Sequence, residues 1–202
     1  MIKNIIFDLG QVLLRQKNTD IDVYLSRIFG TSLKEASQFY SRYRRNLVIG
    51  YMSSKNLLRK YKAITNNPKT IDQLINAYRN DYLADRIGVN QGLIDLADRL
   101  KEKYSLYILT NTIEIHDQEA LKLHIYEHFL HVFKSYVNHI YKPEVESYLY
   151  VVNKIKAQPQ ECLLIDNSVE NIQGAEKAGL KGIVYRSIPQ LKVELKSFGV
   201  KI

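Results

Sequence analysis

The apolar residues of this chain follow two different spacings, and the change between them predicts its architecture. Ile5-Ile6-Phe7 is an apolar run without polar alternation, which is typical of a strand buried on both faces of a parallel sheet. Similar short runs return in the second half of the chain. The predicted strands are residues 5–7, 105–109, 132–137, 162–165 and 182–185.

Amphipathic segments lie between the later strands. Leu93, Ile94 and Ala97 mark one face of the first segment, at the spacing of an α-helix. Strands that alternate with helices in this way predict an α/β fold, a doubly wound parallel sheet. The predicted helices are residues 90–103, 115–126, 144–156 and 169–178.

Residues 16–88 interrupt this alternation. Apolar positions recur there at helical spacing, Ser32 and Glu35 have the spacing of a capping box, and Pro68 breaks one of the helices. No convincing strand is visible between residues 19 and 86. We therefore expect a helical cap of residues 16–88, inserted into a Rossmann-like core of residues 1–15 and 89–202.

Composition narrows the class of protein. A chain of 202 residues with 46% hydrophobic and 25% charged residues can bury a sizeable core. The single cysteine, Cys162, rules out a disulfide framework within the chain and fits a reducing compartment. Neither a signal peptide nor a membrane span is apparent. We expect a soluble cytoplasmic protein without a membrane partner.

The net charge of +8 leaves three interpretations open: nucleic-acid binding, a small anionic substrate, or lysine-rich solvated faces. The densest basic cluster, residues 42–45, is short and lies in a helical pattern. Most of the fifteen tyrosines fall at helix-spaced apolar positions, which indicates core packing more than base stacking. We expect no nucleic-acid partner.

Polar residues with chemical potential follow the predicted strands. Asp8 follows the first strand, Thr110 and Asn111 the second, and Asp166 a later one, while Lys142 precedes a proline and a helix. Each has an ordinary explanation as a turn, cap or helix-start residue. Ligands of open α/β sheets bind at the carboxyl ends of the strands, however, so these residues converge where chemistry is expected.

Four ordered motifs carry a resemblance to a known superfamily. The chain resembles the haloacid dehalogenase-like (HAD-like) hydrolases, which are mostly Mg²⁺-dependent phosphatases, and the helical insertion lies where their cap domain lies. The motifs are Phe7-Asp8-Leu9-Gly10-Gln11-Val12-Leu13, Leu109-Thr110-Asn111, Tyr141-Lys142-Pro143-Glu144 and Ile165-Asp166-Asn167-Ser168-Val169-Glu170-Asn171.

The resemblance implies a role for each motif residue. Asp8 is expected to attack phosphorus and to form an aspartyl-phosphate, since a carboxylate can serve as a covalent nucleophile. Lys142 would neutralise the charge of the phosphoryl oxygens. The Thr110 hydroxyl and the Asn111 backbone N–H would donate hydrogen bonds to the same oxygens, at a helix N-terminus that favours anions.

The same resemblance implies a Mg²⁺ site. Its ligands would be the Asp8 carboxylate, the Gly10 backbone carbonyl and the Asp166 carboxylate, which are the hard oxygen donors that Mg²⁺ prefers. Glu170 and Asn171 are expected beside these ligands and not in direct contact with the metal.

Two positions depart from the family pattern. Most family phosphatases carry a second aspartate two residues after the nucleophile, and Gly10 stands there instead. General acid–base catalysis contributes a factor of about 10²–10⁴ in rate, so its loss should lower the rate of hydrolysis. A branch resembling sugar-1-phosphate phosphatases shares this Asp-x-Gly pattern. Asn167 replaces an aspartate of many relatives and removes a charge near the metal.

These inferences predict a Mg²⁺-dependent phosphatase-like hydrolase that acts on a small phosphorylated metabolite, such as a sugar phosphate. Because Gly10 stands where most relatives carry an acid, a catalytically weak or inactive relative that binds a ligand or a partner stays open as the alternative. A haloacid dehalogenase is the third interpretation, and Asp166 argues against it because metal-free chemistry at carbon does not need that carboxylate.

Two other patterns are weaker. His124 and His128 lie in an H-x-x-E-H sequence that matches a zinc-peptidase motif, but no persuasive third ligand follows. Asp20 and Asp22 lie just after the first turn, where helix-start residues are expected. A role for Asp20 as the missing acid stays open.

Overall fold

Five parallel strands form the central sheet of the computed structural model, which covers all 202 residues. The sheet order is β5-β4-β1-β6-β7, with β1 at the centre, and β2 pairs separately with β3. The α/β prediction is confirmed. The strands are β1 (Asn4–Phe7), β2 (Leu14–Gln16), β3 (Arg86–Val89), β4 (Ser105–Thr110), β5 (His131–Lys134), β6 (Cys162–Asp166) and β7 (Lys181–Val184).

Ten helices accompany the strands, and helices cover both faces of the sheet. Ile5 and Phe7 of β1 face one hydrophobic cluster, Ile6 faces another, and all three side chains are fully buried, as the unbroken apolar run predicts. The helices are α1 (Ile21–Phe29), α2 (Leu33–Val48), α3 (Ser54–Thr65), α4 (Ile71–Ala84), α5 (Gln91–Leu100), α6 (Glu114–Leu121), α7 (Ser135–Asn138), α8 (Val145–Lys154), α9 (Val169–Lys177) and α10 (Ile188–Ser197).

Helices α1–α4 form a four-helix insert between β2 and β3, with a hydrophobic cluster of its own. Ser32 and Glu35 make the predicted capping box at the start of α2, and Thr70 with Gln73 makes another at α4. Whether residues 16–88 behave as a separate domain stays a prediction.

The sequence prediction missed the ribbon of β2 and β3, which frames the insert. These two short antiparallel strands pair Leu14 with Val89 across the whole length of the insert. A three-residue strand whose partner lies about seventy positions away along the chain leaves no periodic signal. Helix α10 was not predicted either.

Two predicted elements end earlier than expected. The strand prediction over residues 132–137 is wrong beyond Lys134, because Ser135 starts helix α7 and its hydroxyl donates to the Thr112 carbonyl at 3.1 Å. The helix prediction over 115–126 is wrong beyond Leu121, where the chain turns and continues as a 3₁₀ turn of Ile125–His128.

The insert packs directly against the sheet and helices α5–α10, which together we call the sheet domain. Arg45 of α2 makes a two-pronged ion pair with Glu144, and Arg79 of α4 pairs with buried Glu119 at 3.0 Å. Ile113 belongs to the hydrophobic cluster of the insert although it follows β4. Helices α1–α4 thus lie over the carboxyl ends of the strands. None of the helices is both long and apolar enough to span a bilayer.

Candidate active site

The carboxyl edge of the sheet brings the predicted site residues together. Phe7 lies opposite Ile108 on one side and Ile165 on the other, so the next residues along these strands reach the edge at a similar height. Asp8, Asp166 and Thr110 all stand there, and all three are buried. Parallel pairing therefore converts distant sequence positions into one cluster.

Lys142 joins the two carboxylates. Its ammonium nitrogen lies 2.7 Å from Asp8 Oδ1 and 2.6 Å from Asp166 Oδ2, and its side chain is almost fully buried. Two buried carboxylates that contact the same nitrogen would repel each other strongly without it, and the cation between them offsets that repulsion. The Asp8–Lys142–Asp166 triad carries a net charge of −1 when both acids are ionised.

Burial and the neighbouring charges both shift the pKa values of Asp8 and Lys142. Burial raises the pKa of Asp8 to about 6, with a further rise from the Asp166 charge, while the Lys142 cation opposes both. Burial alone would lower the pKa of Lys142, but the two carboxylates outweigh it and raise that pKa above its ordinary value. Lys142 is therefore a fixed cation.

The two carboxylates differ in what holds them. Asp166 accepts the Ser168 backbone N–H at 2.9 Å, and the Asn171 amide donates to both of its oxygens at 3.0 Å. Asp8 accepts one side-chain hydrogen bond, from Lys142. Asp166 is thereby fixed in place, whereas the second oxygen of Asp8 accepts no side-chain hydrogen bond.

Gly10 leaves open space beside Asp8. A β-carbon built on Gly10 would lie 4.0 Å from Asp8 Oδ2, its nearest neighbour, and would meet no closer atom. Gly10 and Leu14 form an isolated parallel bridge, whose hydrogen bonds run from the Gln11 N–H to the Leu14 carbonyl and from the Leu14 N–H to the Leu9 carbonyl. The Gly10 carbonyl therefore accepts no backbone hydrogen bond. This free carbonyl, with Asp8 and Asp166, is a donor set of hard oxygens that fits Mg²⁺.

Thr110 and Asn111 have different surroundings. The Thr110 hydroxyl makes no hydrogen bond within the protein, yet the residue lines the cavity next to Asp8. Asn111 also lines the cavity, but its side-chain amide pairs with the backbone of Lys142. The sequence prediction assigned Asn111 only a backbone donor and did not foresee this pairing.

A cavity of about 610 Å³ lies above the triad, between the sheet domain and the insert. Asn167 and Asn171 line it, and exposed Glu170 does not. Asp20 and Asp22 both line the cavity, and the Asp22 carboxylate is hydrogen-bonded to Ser37.

The insert, the β2–β3 ribbon and helix α6 supply cavity residues that the sequence did not single out. Tyr40 and Tyr82 resembled core tyrosines, Gln16 lay outside every motif, and His116 stood in a predicted helix without a recognisable partner. The only sequence signal of Tyr40, Tyr82 and His116 is a polar group in a helical segment, and Gln16 gives no signal. The insert must be folded over the sheet before these residues face Asp8.

The histidines of the H-x-x-E-H sequence face different partners. His124 Nδ1 lies 2.5 Å from Glu127, and His128 Nδ1 lies 2.9 Å from Asp98 of α5. The segment is a 3₁₀ turn preceded by His124 in a left-handed conformation, and not the helix that the zinc-peptidase motif needs. Cys162 is buried at the start of β6, outside the cavity.

Solved structures of similar fold include two that cover nearly the whole chain. An HAD family enzyme from Bacteroides thetaiotaomicron, in complex with magnesium and inorganic phosphate, is 20% identical with a TM-score of 0.74, covering 95% of this chain and 99% of its own. A "predicted HAD-like family hydrolase" from Porphyromonas gingivalis is 23% identical with a TM-score of 0.79, covering 97% and 98%. At such identities the likeness establishes the fold.

Sequence comparison adds a curated relative and a family. Flavin mononucleotide hydrolase 1 of Arabidopsis thaliana is 30% identical over 61 residues, which are 30% of this chain and 25% of that protein. The match therefore spans only a quarter of the relative's length. The model of the haloacid dehalogenase-like hydrolases matches residues 2–179, which include all of the insert and the chain up to strand β7. The chain belongs to the haloacid dehalogenase-like hydrolase family.

Proposed function

We propose that this protein is a Mg²⁺-dependent phosphatase that hydrolyses a small phosphorylated metabolite through an aspartyl-phosphate on Asp8. The observation that carries the proposal is the buried contact of Lys142 with both Asp8 and Asp166. A cation fixed beside a nucleophilic carboxylate is suited to a reaction in which negative charge moves from that carboxylate to phosphoryl oxygens.

The proposed reaction has two steps. An Asp8 oxygen bonds to phosphorus while the bond from phosphorus to the leaving oxygen breaks, and that oxygen takes a proton from water. A second water then attacks phosphorus, which releases inorganic phosphate and restores the Asp8 carboxylate. Throughout both steps, Lys142 stabilises the charge on the phosphoryl oxygens, and the Thr110 hydroxyl donates a hydrogen bond to one of them.

Asp8, Asp166 and the Gly10 carbonyl are the residues that would hold Mg²⁺. Bound there, the ion would neutralise negative charge on the phosphate as a Lewis acid. Asn171 and Ser168 keep Asp166 oriented for this task through their hydrogen bonds to its carboxylate. The magnesium and phosphate in the Bacteroides enzyme, which shares this fold, support the choice of metal and substrate group.

The absence of a carboxylate at Gly10 favours particular leaving groups. An anomeric or acyl oxygen departs with less protonation than a primary alkoxide, so it needs less help from a general acid. We therefore propose sugar-1-phosphates or acyl phosphates as the preferred class. The name of the Arabidopsis relative, a hydrolase of the phosphate ester flavin mononucleotide, supports phosphoester chemistry more broadly.

The decisive test is turnover of p-nitrophenyl phosphate by wild type and Asp8→Asn, with and without Mg²⁺. We expect turnover to require both the metal and the Asp8 carboxylate, while circular dichroism shows the same fold for the variant. Undiminished turnover by Asp8→Asn, or by wild type in excess chelator, would refute the mechanism.

A second candidate rests on the same glycine. In this second interpretation, the lack of an acid beside Asp8 makes the protein a catalytically weak relative that binds a phosphorylated ligand or a partner. Calorimetry and turnover assays together separate the two proposals. The weak relative would bind Mg²⁺ and phosphate in the calorimeter and would hydrolyse no phosphate ester in the assays.

A further inference from the structure

Four uncharged polar side chains line the cavity beside the triad. They are Gln16 of β2, Tyr40 of α2, Tyr82 of α4 and His116 of α6, and we call them the neutral wall. Three come from the insert or its framing ribbon, and one comes from the helix that follows Thr110. The residues proposed to bind phosphate, Asp8, Thr110 and Lys142, and the four residues of the neutral wall therefore line one cavity.

His116 is held rigidly in this wall. Its ring stacks on Tyr82 with centroids 4.1 Å apart and planes 11° apart, and its Nε2 lies 3.0 Å from the Tyr78 hydroxyl. Nδ1 makes no hydrogen bond within the protein. Burial lowers the pKa of the imidazole to about 3, so the ring is neutral. His116 therefore presents one uncharged polar nitrogen to a ligand.

Gln16 and Tyr82 provide further polar groups without full partners. Gln16 is 7% exposed, and its amide nitrogen Nε2 has no acceptor in hydrogen-bonding geometry, although the amide lies beside the Tyr82 hydroxyl. Tyr82 is 3% exposed, and burial raises the pKa of its hydroxyl, with the Arg86 charge and the Gln16 amide opposing that rise. Buried polar groups are rarely left unpaired, since each lost hydrogen bond is costly.

Tyr40 completes the wall. Its hydroxyl makes no hydrogen bond within the protein, and burial raises its pKa, which keeps it protonated. Three charged residues line the cavity near Tyr40: Asp20 and Arg44 are exposed, and the Asp22 carboxylate is hydrogen-bonded to Ser37. The four side chains of the neutral wall carry no charge of their own, so they suit hydroxyl groups, which both donate and accept, better than a second phosphate.

We propose that Gln16, Tyr40, Tyr82 and His116 are the specificity-determining residues of this site, and that they hydrogen-bond the hydroxyl groups of an uncharged, hydroxylated leaving group. The inference rests on the proposed phosphatase function and assigns the part of the substrate that the triad does not contact. A site built to bond hydroxyl groups rejects analogues that lack them, because its own polar groups are then left unpaired.

The test compares substrates that differ in hydroxyl groups. kcat and KM are measured for a panel of hexose and pentose phosphates, and for cyclohexyl phosphate, whose ring carries no free hydroxyl. The variants are Tyr82→Phe and Tyr40→Phe, each of which removes one hydroxyl and keeps the ring, and His116→Phe. Tyr107→Phe is the matched control, because its hydroxyl is also unbonded but lies outside the cavity.

We expect the best sugar phosphate to exceed cyclohexyl phosphate in kcat/KM. Each hydroxyl deletion should lower kcat/KM for that sugar phosphate about three- to tenfold, mainly through KM, and should lower it less for cyclohexyl phosphate. The control variant Tyr107→Phe should change kcat/KM for neither substrate. Equal losses with both substrates, or no loss in Tyr82→Phe and Tyr40→Phe, would overturn the inference.

Failure of the proposed function gives a different result. If wild type turns over neither p-nitrophenyl phosphate nor any panel member, the phosphatase proposal fails. The inference is then decided by calorimetric titration of the sugar phosphates. Binding that weakens about three- to tenfold in Tyr82→Phe supports it, and binding that is absent or unchanged overturns it.

Discussion

The side chain of Asn111 holds the backbone of Lys142 through two hydrogen bonds. Asn111 Nδ2 donates to the Lys142 carbonyl at 2.8 Å, and the Lys142 N–H donates to Asn111 Oδ1 at 3.0 Å. Asn111, the residue that follows β4, thereby holds the loop of Lys142, which lies 31 positions further along the chain. The Lys142 ammonium reaches both carboxylates from this anchored backbone.

Loss of this anchor should affect catalysis more than stability. We expect Asn111→Ala to lower kcat for p-nitrophenyl phosphate about tenfold or more, since small displacements of a catalytic group are costly. Asn138→Ala is the matched control, because its amide also bonds a backbone N–H and a second group, but outside the cavity. Equal kcat losses in both variants, with equal losses of thermal stability, would argue for a purely structural role of Asn111.

Replacement of Lys142 tests the charge of the triad. We expect Lys142→Ala to lower kcat about 10²–10³-fold, the cost of removing an oriented donor from a developing anion. Arg42→Ala removes a cation of the same sign from the exposed face of the insert and should leave kcat unchanged. Comparable losses in steady-state assays of the two variants would indicate a general electrostatic effect instead.

The ionisation of Asp8 should set the acid limb of the pH profile. Burial raises the Asp8 pKa to about 6, and only the ionised carboxylate is a nucleophile. At limiting Mg²⁺ we therefore expect kcat/KM to rise with pH through about 6 and then to level off. A cation beside a carboxylate favours its charged form, so saturating Mg²⁺ should move the limb to lower pH.

Two substrates provide the control for this profile. p-Nitrophenyl phosphate and an alkyl phosphate ionise at different pH values, whereas Asp8 is common to both reactions. A limb that follows the substrate and ignores the Mg²⁺ concentration would contradict its assignment to Asp8.

Restoring an acid at position 10 tests what Gly10 means. Gly10 does not have a left-handed backbone, and the space at its β-carbon is open, so Gly10→Asp should fold and leave Asp8 in place. We expect the new carboxyl to speed hydrolysis of primary alkyl phosphates more than that of sugar-1-phosphates. The kcat/KM ratio of the two classes should shrink, by up to about 10²-fold.

Gly10→Ala is the control, because it fills the same space without an acid. A ratio that shrinks equally in both variants would attribute the effect to shape and not to proton transfer.

The sequence alone determined the sheet and its edge. Unbroken apolar runs such as Ile5-Ile6-Phe7 specify strands buried on both faces, and the residue after each run falls at the carboxyl edge because the strands are parallel. Asp8, Thr110 and Asp166 were predictable as neighbours for this reason. Local pattern also placed the helices of the insert, through caps such as Ser32.

Only the tertiary structure decided which residues complete the cavity. Gln16 depends on a β2–β3 pairing across the insert, His116 on its stack with Tyr82 from α4, and the Lys142 anchor on Asn111. These contacts join positions far apart in the chain, and hydrophobic periodicity reports only which face of an element is buried. It does not report which partner that face meets.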